Sequence, residues 1–122
     1  MAGDHIKMKT EASNKIMMSK DGLSFAHGSQ TLFSLMWHEV REIVAFKEDC
    51  FGVDSICIGF RLSDSDNYLR VFEEAEGYEE MLAEFERRFP DIRKDWFNDV
   101  AFPAFVPNWT TIWGAPFSRE LK

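Results

Sequence analysis

No stretch of this 122-residue chain approaches the roughly 20 consecutive apolar residues that a membrane-spanning helix requires. Cysteine is reduced to two residues, Cys50 and Cys57, and neither has another cysteine or a paired histidine at metal-ligand spacing, which argues against structural zinc. Both lie among apolar neighbours (Phe51, Val53, Ile56, Ile58), the setting of a small buried hydrophobe rather than of a redox pair. The seven glycines are dispersed without phosphate-cradling spacing, and Asp64, Asp66 and Asn67 lack the glycine and distant glutamate of a calcium loop. His5, His27 and His38 fall on an arm, a turn and a corner, with no nucleophile or acid at a fixed offset. Positive charge is also short: 14 basic residues against 21 acidic give a net charge of −7, which repels phosphate backbones and anionic headgroups. Catalytic residues, cofactors, metals, nucleic acid and membranes are therefore not expected. Residues 1–7 lack a charged start followed by an apolar run, so a cytoplasmic location is expected.

What the chain has in quantity is aromatic side chains. Twelve Phe and four Trp in a length suited to one domain supply large buried areas, enough for a filled core without disulfides. Residues 1–14 are polar and aperiodic apart from Ile6 and Met8, and are expected to form a flexible arm before a single domain over 15–117. From Lys15 short β-type runs begin. Residues 16–19 and 23–26 flank an Asp21-Gly22 pair, which favours a tight hairpin turn at positive φ, and residues 31–35 make a third run. Residues 37–42 are too charged for a buried strand and read as a helical corner leading into a strand at 43–47. Apolar residues at 56, 58, 60 and 62 alternate strictly, the mark of a half-buried strand, with Gly59 inside it signalling a bulge or a close backbone approach. A turn cluster at 63–67 precedes a last run at 68–72.

The helical signal is sharper. Tyr78, Met81, Leu82, Phe85 and Phe89 share one face of a helix over 78–89, with acids at its start and arginines at its end, as the helix dipole favours. Pro90 stops it, and Ile92, Trp96 and Val100 predict a second short helix running from Asp91 to before Pro103. Residues 101–117 then combine three prolines, three phenylalanines and two tryptophans with no charge. Such a tail either wraps the domain and covers an open sheet edge or forms an exposed patch for a partner or a second copy of the chain.

Strands, a Trp37-x-x-Val40 corner, further strands and a closing amphipathic helix resemble the pleckstrin-homology-like (GRAM-like) barrels of small bacterial proteins of uncharacterised function. The likeness is carried by residues 37–47, 71–78 and 108–113 and spans roughly 15–113. It implies an α+β fold with an antiparallel six- to seven-stranded sheet or partly open barrel capped by the C-terminal helix, and it carries over no catalytic residue. A phosphoinositide-binding member would hold a Lys/Arg cluster between its first two strands, where this chain has Lys20 beside Asp21.

These features rank a non-enzymatic, protein-binding domain first. A concrete form is an immunity- or antitoxin-type inhibitor, steered by its charge towards a basic partner. The contact residues expected for it are Glu76, Glu79, Glu80 and Glu84 on the helix and Trp109 and Trp113 in the tail. One alternative is a small-ligand binder or enzyme with an aromatic pocket formed by Trp37, Trp96, Trp109 and His38; the other is a structural protein that self-assembles through the tail.

Overall fold

A computed structural model describes residues 13–117 except Phe51, with the backbone alone at Cys50. The order of elements is β1 (Asn14–Met18), β2 (Gly22–His27), β3 (Gln30–Met36), a 3-10 turn (Trp37–Glu39), β4 (Glu42–Cys50), β5 (Val53–Arg61), β6 (Leu69–Phe72), helix α1 (Tyr78–Arg88), helix α2 (Trp96–Ala101) and β7 (Thr110–Gly114). The class is α+β. Where a single six- to seven-stranded sheet or partly open barrel is expected, the strands form two antiparallel sheets, β1-β2-β3 and β6-β5-β4-β7, that do not close into a barrel. The division falls at the corner. The Trp37 amide turns back to the Asp21 carbonyl at 2.8 Å and the Arg41 amide bonds Arg61 at 2.8 Å, so β4 leaves β3 and enters a ladder with β5.

The helix α1 packs its apolar stripe of Tyr78, Met81, Phe85 and Phe89 into a core shared by both sheets. Ile16, Leu23, Phe25 and Leu35 come from the first sheet, and Ile43, Ala45, Ile56, Ile58, Phe60 and Val71 from the second. Phe85 stands edge-on to both Trp37 and Phe60, an arrangement that aromatic quadrupoles favour. The approach to α1 is stitched to β1: the Ile16 amide donates to the Glu76 carbonyl at 2.7 Å and the Glu76 amide to Asn14 at 3.0 Å.

The structure differs from two local expectations, at Gly22 and at the start of the second helix, and agrees with that at Gly59. Gly22 does not occupy the positive-φ region, which in the first sheet belongs to Gly28 (φ 61°) in the β2–β3 turn. Gly22 is required for space, because a Cβ there would lie 2.1 Å from the Leu35 carbonyl oxygen of the paired strand. Gly59 likewise marks a close approach, since a Cβ would meet the Val44 Cγ2 at 2.9 Å. The second helix begins at Trp96, not Asp91, because the Arg93 amide donates to the Ile112 carbonyl of β7 and is thereby taken out of any helical ladder. Ile92 is nonetheless buried.

The tail contains a strand. Residues 110–114 pair antiparallel with β4, with a bulge at Ile43/Val44, and cover what would have been an open edge. Ile112 enters the core, and Trp113 packs on Phe89 while its indole Nε1 donates to Asp91 at 2.8 Å. The arm expected over 1–14 falls outside the described residues up to position 12, and β1 begins at Asn14.

Phe85 lies between the sheets and the helix with almost no exposed surface. Phe85→Ala is expected to lower unfolding free energy by about 3 to 5 kcal/mol. Urea denaturation followed by fluorescence measures this, and an unchanged midpoint would contradict the packing described.

Candidate functional site

The second sheet has a covered outer face as well as the core face, because β4 and β5 alternate between the two. On the outer side Val44, Phe46 and Cys57 form a small apolar cluster flanked by Tyr68 and Phe72. Trp109 stacks on Phe46 with ring centroids 4.6 Å apart and stands edge-on to Tyr68 at 5.0 Å. Strand β4 also carries two buried charges.

At the first end, Glu42 is 1% exposed. Its Oε1 accepts from Arg61 Nε at 2.9 Å and from the Tyr68 hydroxyl at 2.7 Å, while Oε2 accepts from the Thr111 hydroxyl at 2.5 Å. The Arg61 guanidinium continues to the carbonyls of Ser63 (2.7 Å) and Ala115 (2.9 Å) and lies over the Phe117 ring. Burial pushes the Glu42 carboxyl up, but the hydrogen bonds from Thr111, Tyr68 and Arg61, with the charge of Arg61, outweigh it and hold the group below its ordinary range. Burial and the bond to Glu42 push the Tyr68 phenol up to about 12. Glu42, Tyr68, Trp109, Thr111, Pro116 and Phe117 line a cavity of about 390 Å³ at this end.

Nearer the β4–β5 hairpin, Lys47 is 5% exposed. Its ammonium donates to the carbonyls of Ala101 (2.8 Å) and Pro103 (2.5 Å) and pairs with Asp54 at 3.3 Å. The Lys47 amide donates to the Pro107 carbonyl, and Asn108 Nδ2 donates to the carbonyls of Val100 and Pro103. Loop 102–109 is thus fastened from inside by side chains that satisfy its carbonyls. Asp54 Oδ2 also accepts from the Phe105 amide at 2.7 Å. Phe105 takes φ 62°, a left-handed conformation that costs a non-glycine residue on the order of 1 kcal/mol. Its ring nevertheless stays 73% exposed, near Phe102 at 67% in the same loop, with Val106 also exposed. Asp49, Asp54, Gly52, Phe105, Val106, Pro107 and Lys47 surround a second cavity of about 410 Å³ between this loop and the β4–β5 hairpin.

The residues expected at a partner surface are distributed differently. Glu76, Glu79 and Glu80 are exposed, and none of these side chains makes an ion pair or hydrogen bond among the described residues. Glu84 is engaged by Arg87 at 2.7 Å and Arg88 at 2.5 Å. Glu73 and Glu74, read only as part of the acidic helix start, hold β5: Glu73 accepts from the Ile56 amide and Glu74 from the Ser55 hydroxyl. Trp109 is 47% exposed, whereas Trp113 is half-buried against Phe89. The aromatic pocket expected from Trp37, Trp96, Trp109 and His38 does not assemble. Trp37 lies in the core against Phe85 and Phe89, Trp96 beside Phe97, Trp109 on the opposite side of the sheet, and His38 is exposed.

Among the described residues no group of three or more His, Cys, Asp and Glu is placed to hold a metal ion, and no helix is long and apolar enough to cross a membrane. Comparison with protein-family models, with curated proteins and with solved structures finds no match to this chain.

Two measurements test the buried charges. Lys47→Met keeps the stem and removes the ammonium, leaving the Ala101 and Pro103 carbonyls short of a donor; a loss of about 2 kcal/mol or more and earlier proteolysis within 102–108 are expected. Glu42 has a folded value below its ordinary 4.5, so its stabilisation is complete above that pH and disappears as pH falls through the folded value. Glu42→Gln is expected to cost about 3 to 5 kcal/mol at neutral pH by leaving Arg61 buried without its counter-charge, and to flatten the acid limb of the stability profile. An acid limb identical to the wild type would remove Glu42 from that role.

Proposed function

We propose that this chain is a non-enzymatic protein-binding domain that grips its partner through the rigid apolar loop around Phe102, Phe105 and Val106. The observation that carries the reading is Phe105. Its amide is held by Asp54, itself paired with buried Lys47, its backbone takes an unfavourable conformation, and a large aromatic residue stands exposed to water. Strain maintained to expose a hydrophobic ring has no use in the isolated domain and fits an anchor residue at an interface. Asp49 is exposed and Asp54 partly so beside the loop, so the fitting partner has an apolar recess with a basic rim.

Glu76, Glu79 and Glu80 contribute at longer range. Exposed carboxylates on a domain of net charge −7 steer a basic protein during encounter rather than fix it once bound. This is the behaviour of an immunity- or antitoxin-type inhibitor acting in the cytoplasm. A pleckstrin-homology-like kinship is part of the same reading, supported by antiparallel sheets of three and four strands and an amphipathic helix packed against their shared core.

A photo-cross-linking residue at position 105, compared with the same residue at exposed Leu32, is expected to trap a basic protein only from position 105. With that protein purified, Phe102→Ala with Phe105→Ala should weaken binding by about 30-fold or more while moving the thermal midpoint by less than about 3 °C. Glu79→Lys with Glu80→Lys should slow association, and the effect should shrink as ionic strength rises. Equal binding by the double-phenylalanine variant, or no adduct specific to position 105, would overturn the proposal.

A further inference from the structure

The two sheets have edges at β1, β3, β6 and β7, and all but β3 are occupied or defended. β1 is tied to Glu76, β7 accepts the Arg93 amide at the Ile112 carbonyl, and β6 is only four residues long and carries Arg70. β3 is seven residues long, pairs with β2 alone, and contains neither a charged residue nor a proline, although 29% of the chain is charged. Natural edge strands are normally blunted by such residues. The phase of the ladder shows which backbone groups are left over. The Ser19 amide donates to the Gly22 carbonyl and the Trp37 amide to the Asp21 carbonyl, so Phe33 and Leu35, registered with Phe25 and Leu23, exchange their bonds with β2. N–H and C=O point opposite ways across a trans peptide, which turns the carbonyls of Leu32, Ser34 and Met36 and the amides of Ser34 and Met36 off the sheet. Of these, the Met36 amide alone is answered among the described residues, by Glu39 Oε1 at 2.9 Å.

We propose that β3 is a self-association edge: two copies of this chain pair antiparallel through it, Ser34 opposite Ser34, with Glu39 guarding the edge in the single copy. In that register each Ser34 amide donates to the second copy's Ser34 carbonyl, and each Met36 amide to the second copy's Leu32 carbonyl. The exposed large apolar side chains of the strand, Leu32 (51%) and Met36 (41%), then lie opposite one another, and such cross-strand pairs stabilise a sheet. This symmetry selects a second copy over a foreign strand, because an isologous contact needs every group to find its counterpart, and Leu32 and Met36 are equidistant from Ser34. The lack of charge suits it too, since two chains each of net charge −7 approach most easily where the meeting surfaces carry none. The single copy restrains the edge in two places. A bulge leaves Leu32 without a partner on β2, and the Glu39 carboxylate sits on the Met36 amide where a paired strand's carbonyl belongs. Pairing displaces Glu39, which therefore sets the balance between single and paired chains.

Sedimentation equilibrium of the full chain, with amide hydrogen exchange at rising protein concentration, tests this. The wild type is expected to dimerise weakly, with a dissociation constant on the order of 1 mM, and more tightly as salt screens the like charges. The Ser34 amide should gain protection as concentration rises, a measurement that needs no variant. Glu39→Ala frees the Met36 amide and should tighten the dimer about tenfold or more. The Ser34 side chain is exposed, so Ser34→Lys and Ser34→Asp are expected to fold, as circular dichroism will show. Each sets like charges face to face at the axis and should abolish the dimer, whereas an equimolar mixture of the two should restore it as a heterodimer. A wild type and a Glu39→Ala variant that both stay monomeric, a Ser34→Lys variant that dimerises like the wild type, a mixture that forms no heterodimer, or Ser34 protection independent of concentration would each overturn the proposal.

Discussion

Strand β4 carries a buried carboxylate at its first residue and a buried ammonium at its sixth, and the segment over 101–115 supplies partners to both. A charge removed from water without partners costs several kcal/mol, so neither Glu42 nor Lys47 is tolerable alone. Arg61 and Tyr68 answer part of the need at Glu42, but Thr111 and the Ala115 carbonyl, which holds Arg61 in place, come from the last segment of the described chain. Lys47 depends on the same region, through Ala101 and Pro103. The strand is thus incomplete until residues 101–115 have docked, and the pairing of β7 with β4 joins the two polar ends through one ladder.

This dependence explains why the late segment is apolar and uncharged without being a simple wrap. Its backbone carbonyls are the needed groups. Three of them, from Ala101, Pro103 and Ala115, accept from buried cations of β4 and β5, and prolines within it cost nothing as acceptors because they lack only the N–H. Its aromatic rings then divide by position. Trp113 is drawn inward against Phe89, Trp109 stacks on Phe46 with half of its surface left open, and Phe102 and Phe105 remain outside on a loop anchored at the Pro103 and Pro107 carbonyls and the Phe105 amide.

Much of the inner architecture was legible in the sequence because it follows local periodicity. Alternation at Ile56, Ile58 and Phe60 does place these side chains on the core face of β5, and Tyr78, Met81, Phe85 and Phe89 do form the buried stripe of α1. The division into two sheets was not legible, because it is decided at the Trp37 corner by hydrogen bonds to Asp21 and from Arg41 to Arg61, partners 16 and 20 residues away. Alternation alone also leaves the outer face unmarked: Cys57 does read as a small buried hydrophobe, but nothing local shows that it joins Val44 and Phe46 in a second small cluster on which Trp109 stacks.

The candidate sites were the least legible part, for the same reason. Lys47 looks like an ordinary strand-end lysine and Glu42 like part of a charged corner; what makes each of them special lies 54 to 69 residues further along the chain. Asp54 beside a hairpin gives no hint that it will fix the amide of Phe105, and the aromatic content of the tail does not reveal which rings are spent internally. A usable signal did exist in the pairing of opposites: a glutamate opening one β-type run and an arginine closing the next are registered directly across β4 and β5, as Glu42 and Arg61 are. Read as a cross-strand pair next to the apolar Ile43, Phe60 and Leu62, they predict a buried ion pair, and a buried ion pair in turn demands extra hydrogen-bond partners from elsewhere in the chain. In this molecule those extra partners are Tyr68 and Thr111, which lie 26 and 69 residues further along the chain from Glu42.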